Sequence, residues 1–137
     1  MIVLDTDVVA ELLRGPRADP AVVRWVRTLE ESPVTTVVNR AELLAGVALL
    51  GDDERTRTLA AAVTDLLADL SVCLPFTTEA ASCYGELVAT AVAAGRRLPT
   101  RVAMVACVAR VHDAGVATHD PSAYDGLGLR VLDPRHV

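Results

Sequence analysis

Short apolar runs alternate with amphipathic helical segments along the whole of this 137-residue chain, and that alternation constrains its fold more than any other feature. Met1–Leu4 is apolar and ends at Asp5, which reads as a strand. Asp7–Arg14 follows with Val8, Val9, Leu12 and Leu13 at helical spacing, stopped by Gly15-Pro16. Pro20–Glu31 carries Val22, Val23, Val26 and Leu29 on one side. Val34–Val38 is β-branched and reads as a second strand, and Asn39–Leu50 as a helix ending at Gly51. Asp52–Leu70 is a longer amphipathic helix, Ser71–Leu74 a third strand, Thr77–Ala94 an Ala-rich helix and Thr100–Asp113 another. Val116–Thr118 and Leu129–Leu132 are the last short strands. Strands separated by helices need crossover connections, and these are right-handed and generate parallel pairing. The expected fold is therefore α/β: one domain spanning 1–137, with a short, mostly parallel central sheet flanked by helices in three layers.

In such folds ligands sit beyond the carboxyl ends of the strands. Asp5 stands immediately after the first strand, with Asp7 two residues on. Glu42 falls in the first turn of the helix after the second strand, and Asp120 follows the fourth. Hard oxygen ligands from separate elements around one point are what Mg²⁺ or Mn²⁺ needs. Such an ion would activate water and stabilise a phosphodiester leaving group. Each acid also has a structural reading: Asp5 or Asp7 as cap of the first helix, Asn39 and Glu42 as a capping box, Asp120-Pro121 as a turn opener.

Composition narrows the partners. Hydrophobic residues make up 52% of the chain and aromatics only 3%, so Ala, Val and Leu must build the core. No apolar run reaches the roughly 18 residues of a membrane span. The first residues lack the charged and apolar pattern of a signal peptide, so the expected location is cytoplasmic. The net charge is −5, which does not favour a polyanion; RNA would have to meet a local arginine surface or bound metal. Arg96, Arg97 and Arg101 flank the expected mouth. Cys73, Cys83 and Cys107 are widely spaced and read as reduced thiols. Neither a P-loop nor a nucleophile elbow is present.

The opening Met1-Ile2-Val3-Leu4-Asp5-Thr6-Asp7-Val8-Val9-Ala10-Glu11-Leu12 resembles that of VapC-type toxins of the PIN-domain family. Asn39-Arg40-Ala41-Glu42-Leu43-Leu44-Ala45-Gly46 is similar to the family's second motif. Gly95-Arg96-Arg97-Leu98 running into Ala103-Met104-Val105-Ala106 is similar to its third. Ala117-Thr118-His119-Asp120 with Tyr124-Asp125-Gly126-Leu127-Gly128-Leu129 is similar to the closing segment. The likeness implies a metal-dependent endoribonuclease acting as the toxin of a toxin–antitoxin pair. It implies Mg²⁺ or Mn²⁺ as cofactor, RNA as substrate, a cognate antitoxin in the active-site groove, and a homodimer or higher oligomer. Carried over residue by residue, Asp5, Glu42 and Asp120 match the catalytic acids, Asp5, Asp7 and Asp120 the metal ligands, and Thr6 a polar site residue. Arg96, Arg97 and Arg101 are the RNA-contacting candidates.

The chain departs from the pattern at its third motif. Val102 stands where the family has an acid, and no Asp or Glu occurs from Leu87 to His112. Ala123 replaces a further acid before Tyr124. The departure leaves a second reading, a PIN fold that binds an antitoxin or RNA without cleaving. It also leaves Arg101 free to neutralise Asp5 or Asp120 in place of a metal.

Overall fold

The computed structural model describes residues 1–70 and 72–137. Five strands, β1 (Ile2–Leu4), β2 (Pro33–Thr36), β3 (Cys73–Leu74), β4 (Gly115–Ala117) and β5 (Val131–Leu132), form one sheet in the order β3-β2-β1-β4-β5. Every pairing is parallel, with Val3 opposite both Val34 and Val116. The expected mostly parallel sheet is therefore wholly parallel among the described residues. The chain winds outward from β1 to β3, then returns to β4 on the other side of β1. That reversal puts a topological switch point between β1 and β4, where open α/β sheets form their crevices.

Among the described residues six α-helices cover the sheet: α1 (Thr6–Leu12), α2 (Pro20–Arg27), α3 (Val37–Ala48), α4 (Glu54–Asp69), α5 (Thr78–Ala93) and α6 (Thr100–Val111). The period of two along β1 sorts the core. Val3 joins Val34, Leu74 and Val116 beneath α5 and α6. Ile2 and Leu4 turn the other way, toward Val8 and Val9 of α1, Val22 of α2, Leu43 of α3 and Val63 of α4. All three β1 side chains are fully buried, each contributing about 1.5–3 kcal/mol of transfer free energy. Burial on both faces explains why β1 reads as a continuous apolar run rather than an alternating one.

Helix α6 is buried nearly all round, from Val102 to Ala109, and so shows no amphipathic stripe. All three cysteines are free; burial, with its neighbour Cys83 adding, pushes the Cys107 thiol up to about 12. Among the described residues no helix is long and apolar enough to cross a membrane.

Several boundaries differ from expectation for local reasons. β2 stops at Thr36, and Val37-Val38, read as strand, open α3 instead. Thr36 is the N-cap: its hydroxyl accepts from the Asn39 N–H (3.1 Å) and donates to Asn39 Oδ1 (2.6 Å). Asn39 is thus the third helical residue, not the cap, and Glu42 lies beyond the first turn. The segment read as helix to Glu31 ends at Arg27. Of the strand read over 71–74, Ser71 lies outside the described residues and the rest contracts to Cys73–Leu74.

Candidate functional site

Asp5 lies at the carboxyl end of β1, with its N–H donating to the Ala117 carbonyl of β4 (2.9 Å), and so stands at the switch point. Its side chain is 2% exposed. One oxygen, Oδ1, accepts from the Thr6 N–H (2.8 Å), the Asn39 side-chain amide (2.8 Å) and Arg101 Nη1 (2.7 Å). The other, Oδ2, accepts from the Tyr124 hydroxyl (2.8 Å). The Thr6 bond makes Asp5 the N-cap of α1, so the structural reading of this acid holds. Both oxygens are therefore engaged, Oδ1 by three donors and Oδ2 by one.

Glu42 stands on α3 across from Thr6. Its Oε2 accepts from the Thr6 hydroxyl, which in turn accepts from the Asn39 amide (3.1 Å). Its Oε1 pairs with Arg101 Nε at 3.1 Å. One guanidinium therefore spans both acids, from a side chain 35% exposed. Burial disfavours the charged guanidinium, but Asp5 and Glu42 outweigh it and hold the Arg101 pKa above its usual value. Burial, then the Asp5 charge and hydrogen bond, hold the Tyr124 phenol well above the usual range, so it keeps its proton and donates the hydrogen bond to Asp5.

The other expected site residues make separate contacts. Asp7 ties α1 to the loop after β4: its Oδ2 accepts from the Thr118 hydroxyl (3.0 Å) and the His119 N–H (2.9 Å). Asp7 Oδ1 is buried with no hydrogen-bond partner among the described residues. Asp120 is exposed, and its carboxylate accepts from the Ser122 hydroxyl (2.6 Å). No hydrogen bond or ion pair links it to Asp5, Glu42 or Arg101 among the described residues. Arg96 donates to the Asp125 carbonyl, whereas Arg97 is exposed. Val102 is 3% exposed and packs with Tyr124 in the apolar cluster.

Two residues absent from the sequence-based set, Asn39 and Tyr124, prove central. The Thr36-x-x-Asn39 spacing was the available signal for Asn39: once Thr36 caps the helix, the amide is free to face Asp5. Tyr124 carries no local signal, because only the 3-10 turn at Pro121–Tyr124 aims its hydroxyl inward.

The donor chemistry does not fit a divalent ion as the side chains stand. Among the described residues no three of Asp, Glu, His and Cys come together as a metal-binding group. Asp5 and Glu42 are taken up by Arg101 and neutral donors, and Asp7 Oδ1 is a lone orphan oxygen. Beside the pocket, a groove of about 500 Å³ opens between α1, α3 and α4, lined by Leu13, Leu43, Val47, Leu50, Leu59 and Val63, with Thr6 and Glu42 at its edge.

The PIN domain model matches residues 2–125, which include the parallel strands β1, β2, β3 and β4 and the acids after β1 and β2. The chain belongs to the PIN-domain family. It is 30% identical to toxin FitB of Neisseria gonorrhoeae, over 99% of both chains. It is 32% identical to VapC ribonuclease Y4jK of Sinorhizobium fredii, over 98% of this chain and 97% of that one. The crystal structure of FitAcB from Neisseria gonorrhoeae superposes with a TM-score of 0.90 at 30% identity, covering 100% of each chain.

Proposed function

We propose that this chain is the PIN-domain toxin subunit of a toxin–antitoxin pair and that the apolar groove beside Thr6 and Glu42 receives its antitoxin. The groove carries the reading. Leu50, at its edge, is 59% exposed, and its neighbour Leu49 is 87% exposed. Apolar surface of this kind beside a charged pocket suits an amphipathic segment that lays its apolar face into the groove. The full-length likeness to toxin FitB, and to a chain of the FitAcB complex, supports the same assignment. The test is co-purification with any small protein encoded beside this chain's gene. Leu50→Asp should weaken that complex at least tenfold while leaving the fold intact, because Leu50 is exposed. A stable complex insensitive to Leu50→Asp and Leu13→Asp would remove the groove from the interface, and failure of any neighbouring protein to bind would remove the reading.

A second reading, a Mg²⁺- or Mn²⁺-dependent endoribonuclease, is favoured by one observation: Asp5 and Glu42 lie close enough to share one cation, since a single guanidinium contacts both. In that reading Asp120 and Asp7 complete the acidic set, and Arg96, Arg97 and Arg101 contact RNA. The homodimer or higher oligomer suggested by the resemblance belongs to either reading. Cleavage of structured RNA in Mn²⁺ beyond that of an Asp5→Ala control supports the enzyme, and equal cleavage dismisses it.

A further inference from the structure

We infer that Arg101 is the resident cation of this pocket, occupying the two carboxylates that a divalent ion would need, so that metal enters only when the arginine is removed. The inference rests on the side-chain geometry and holds whether or not the groove takes an antitoxin.

Three observations converge on it. First, every oxygen of the two acids already has a donor. Asp5 accepts four hydrogen bonds, and Glu42 receives Arg101 Nε on one oxygen and the Thr6 hydroxyl on the other. A metal would have to displace a charge-assisted bond of 2.7 Å from a buried carboxylate.

Second, Arg101 sits where an arginine is otherwise disfavoured. It is the second residue of α6, and a helix N-terminus carries partial positive charge that repels cations. Pro99 gives that end no side-chain cap. What holds a guanidinium there is the pair of acids in front of it, and its planar fork matches their spacing through Nη1 and Nε.

Third, the next helical position supplies no competing ligand. Val102 is packed among apolar side chains, and no acid occurs between Leu87 and His112. The local balance is two carboxylates against one guanidinium. Removing Arg101 leaves two acids facing each other in a partly buried site, the condition under which a divalent cation binds most favourably.

The test is calorimetric titration of Mn²⁺ into the wild-type chain, Arg101→Ala, Arg101→Ala/Asp5→Asn and Arg101→Lys at neutral pH, with circular dichroism to confirm folding. Wild-type protein should bind Mn²⁺ no tighter than millimolar. Arg101→Ala should bind at least tenfold tighter, and the added Asp5→Asn should erase the gain. Arg101→Lys keeps one charge but loses the fork; it should gain less, and it serves in place of Arg101→Ala if that variant does not fold. Micromolar binding by the wild type overturns the inference. So does a folded Arg101→Ala or Arg101→Lys with unchanged affinity. Neither outcome bears on the antitoxin complex, which is read by co-purification.

Discussion

Arg101 and Asp5, 96 positions apart in the chain, meet at 2.7 Å, and that contact joins the start of α6 to the end of β1. The pair bridges the crevice at the switch point, and Asp5, buried to 98%, has a donor on each oxygen. It therefore carries both structure and selectivity: the charge that stabilises the fold is the charge that competes with a metal.

Arg101→Met keeps the aliphatic stem and removes the charge. Loss of one partner from a buried pair typically costs about 3–5 kcal/mol. The guanidinium here keeps an exposed edge, and Thr6, Asn39 and Tyr124 continue to serve Asp5, so the expected loss is smaller, about 2–3 kcal/mol. Urea unfolding at neutral pH measures it. A variant as stable as the wild type would show that the pair contributes nothing net.

Tyr124→Phe removes the sole donor to Asp5 Oδ2 among the described residues while preserving the ring's place in the apolar cluster. A hydrogen bond to a buried charged group contributes about 1.5–3 kcal/mol, and the variant should lose that much. The phenol remains protonated in the folded protein, so the loss should be equal at pH 7 and pH 9. A loss that disappears at pH 9 would mean the hydroxyl is not the donor.

The sheet and its helices were legible in the sequence because parallel strands buried on both faces leave uniform apolar runs such as Ile2–Leu4, and the helices between them keep their periodicity. Boundaries failed where two propensities overlap. Val37-Val38 is β-branched, yet the Thr36 hydroxyl caps the helix there and takes both valines into α3. At the site, Asp5 and Glu42 were visible from their positions after strands, Thr6 came from the family likeness, and Arg101 was expected at the mouth. Tyr124 was not, because its role depends on a turn 119 residues from Asp5. Asp7 and Asp120 follow their strands as expected; Asp7 accepts from Thr118, and Asp120 is exposed.

Val102→Asp restores the acid that the family pattern expects, but the structure assigns this position to the apolar cluster around Tyr124. A carboxylate there lacks a partner while Arg101 stays engaged with Asp5 and Glu42, and the variant should lose about 3 kcal/mol or more. It should not gain Mn²⁺ affinity unless Arg101 is also replaced. Tighter Mn²⁺ binding by the single variant at wild-type stability would place position 102 in the pocket rather than the core.

Stability toward acid should reflect Asp133 near the C-terminus. Its carboxylate accepts from Arg135 Nε (2.9 Å) and Nη2 (2.6 Å) and the Arg135 N–H (3.0 Å), and pairs with His136 Nδ1 (3.1 Å). Arg135 Nη2 also donates to the His119 carbonyl (2.8 Å), so the cluster ties the C-terminal segment to the loop after β4. The hydrogen bonds from Arg135 hold the Asp133 carboxyl well below the usual carboxylate range. A carboxyl whose pKa is lower when folded stabilises the native state fully above its unfolded value, near pH 4 for Asp. That contribution is lost as the pH falls through the folded value. Asp133→Asn should therefore cost about 1–2 kcal/mol at pH 7, and the gap from wild type should narrow steadily below about pH 4. Urea midpoints for both proteins at pH 7, 4 and 3 measure it. A gap that widens as the pH falls from 4 to 3 would mean the carboxylate is not preferentially ionised in the fold.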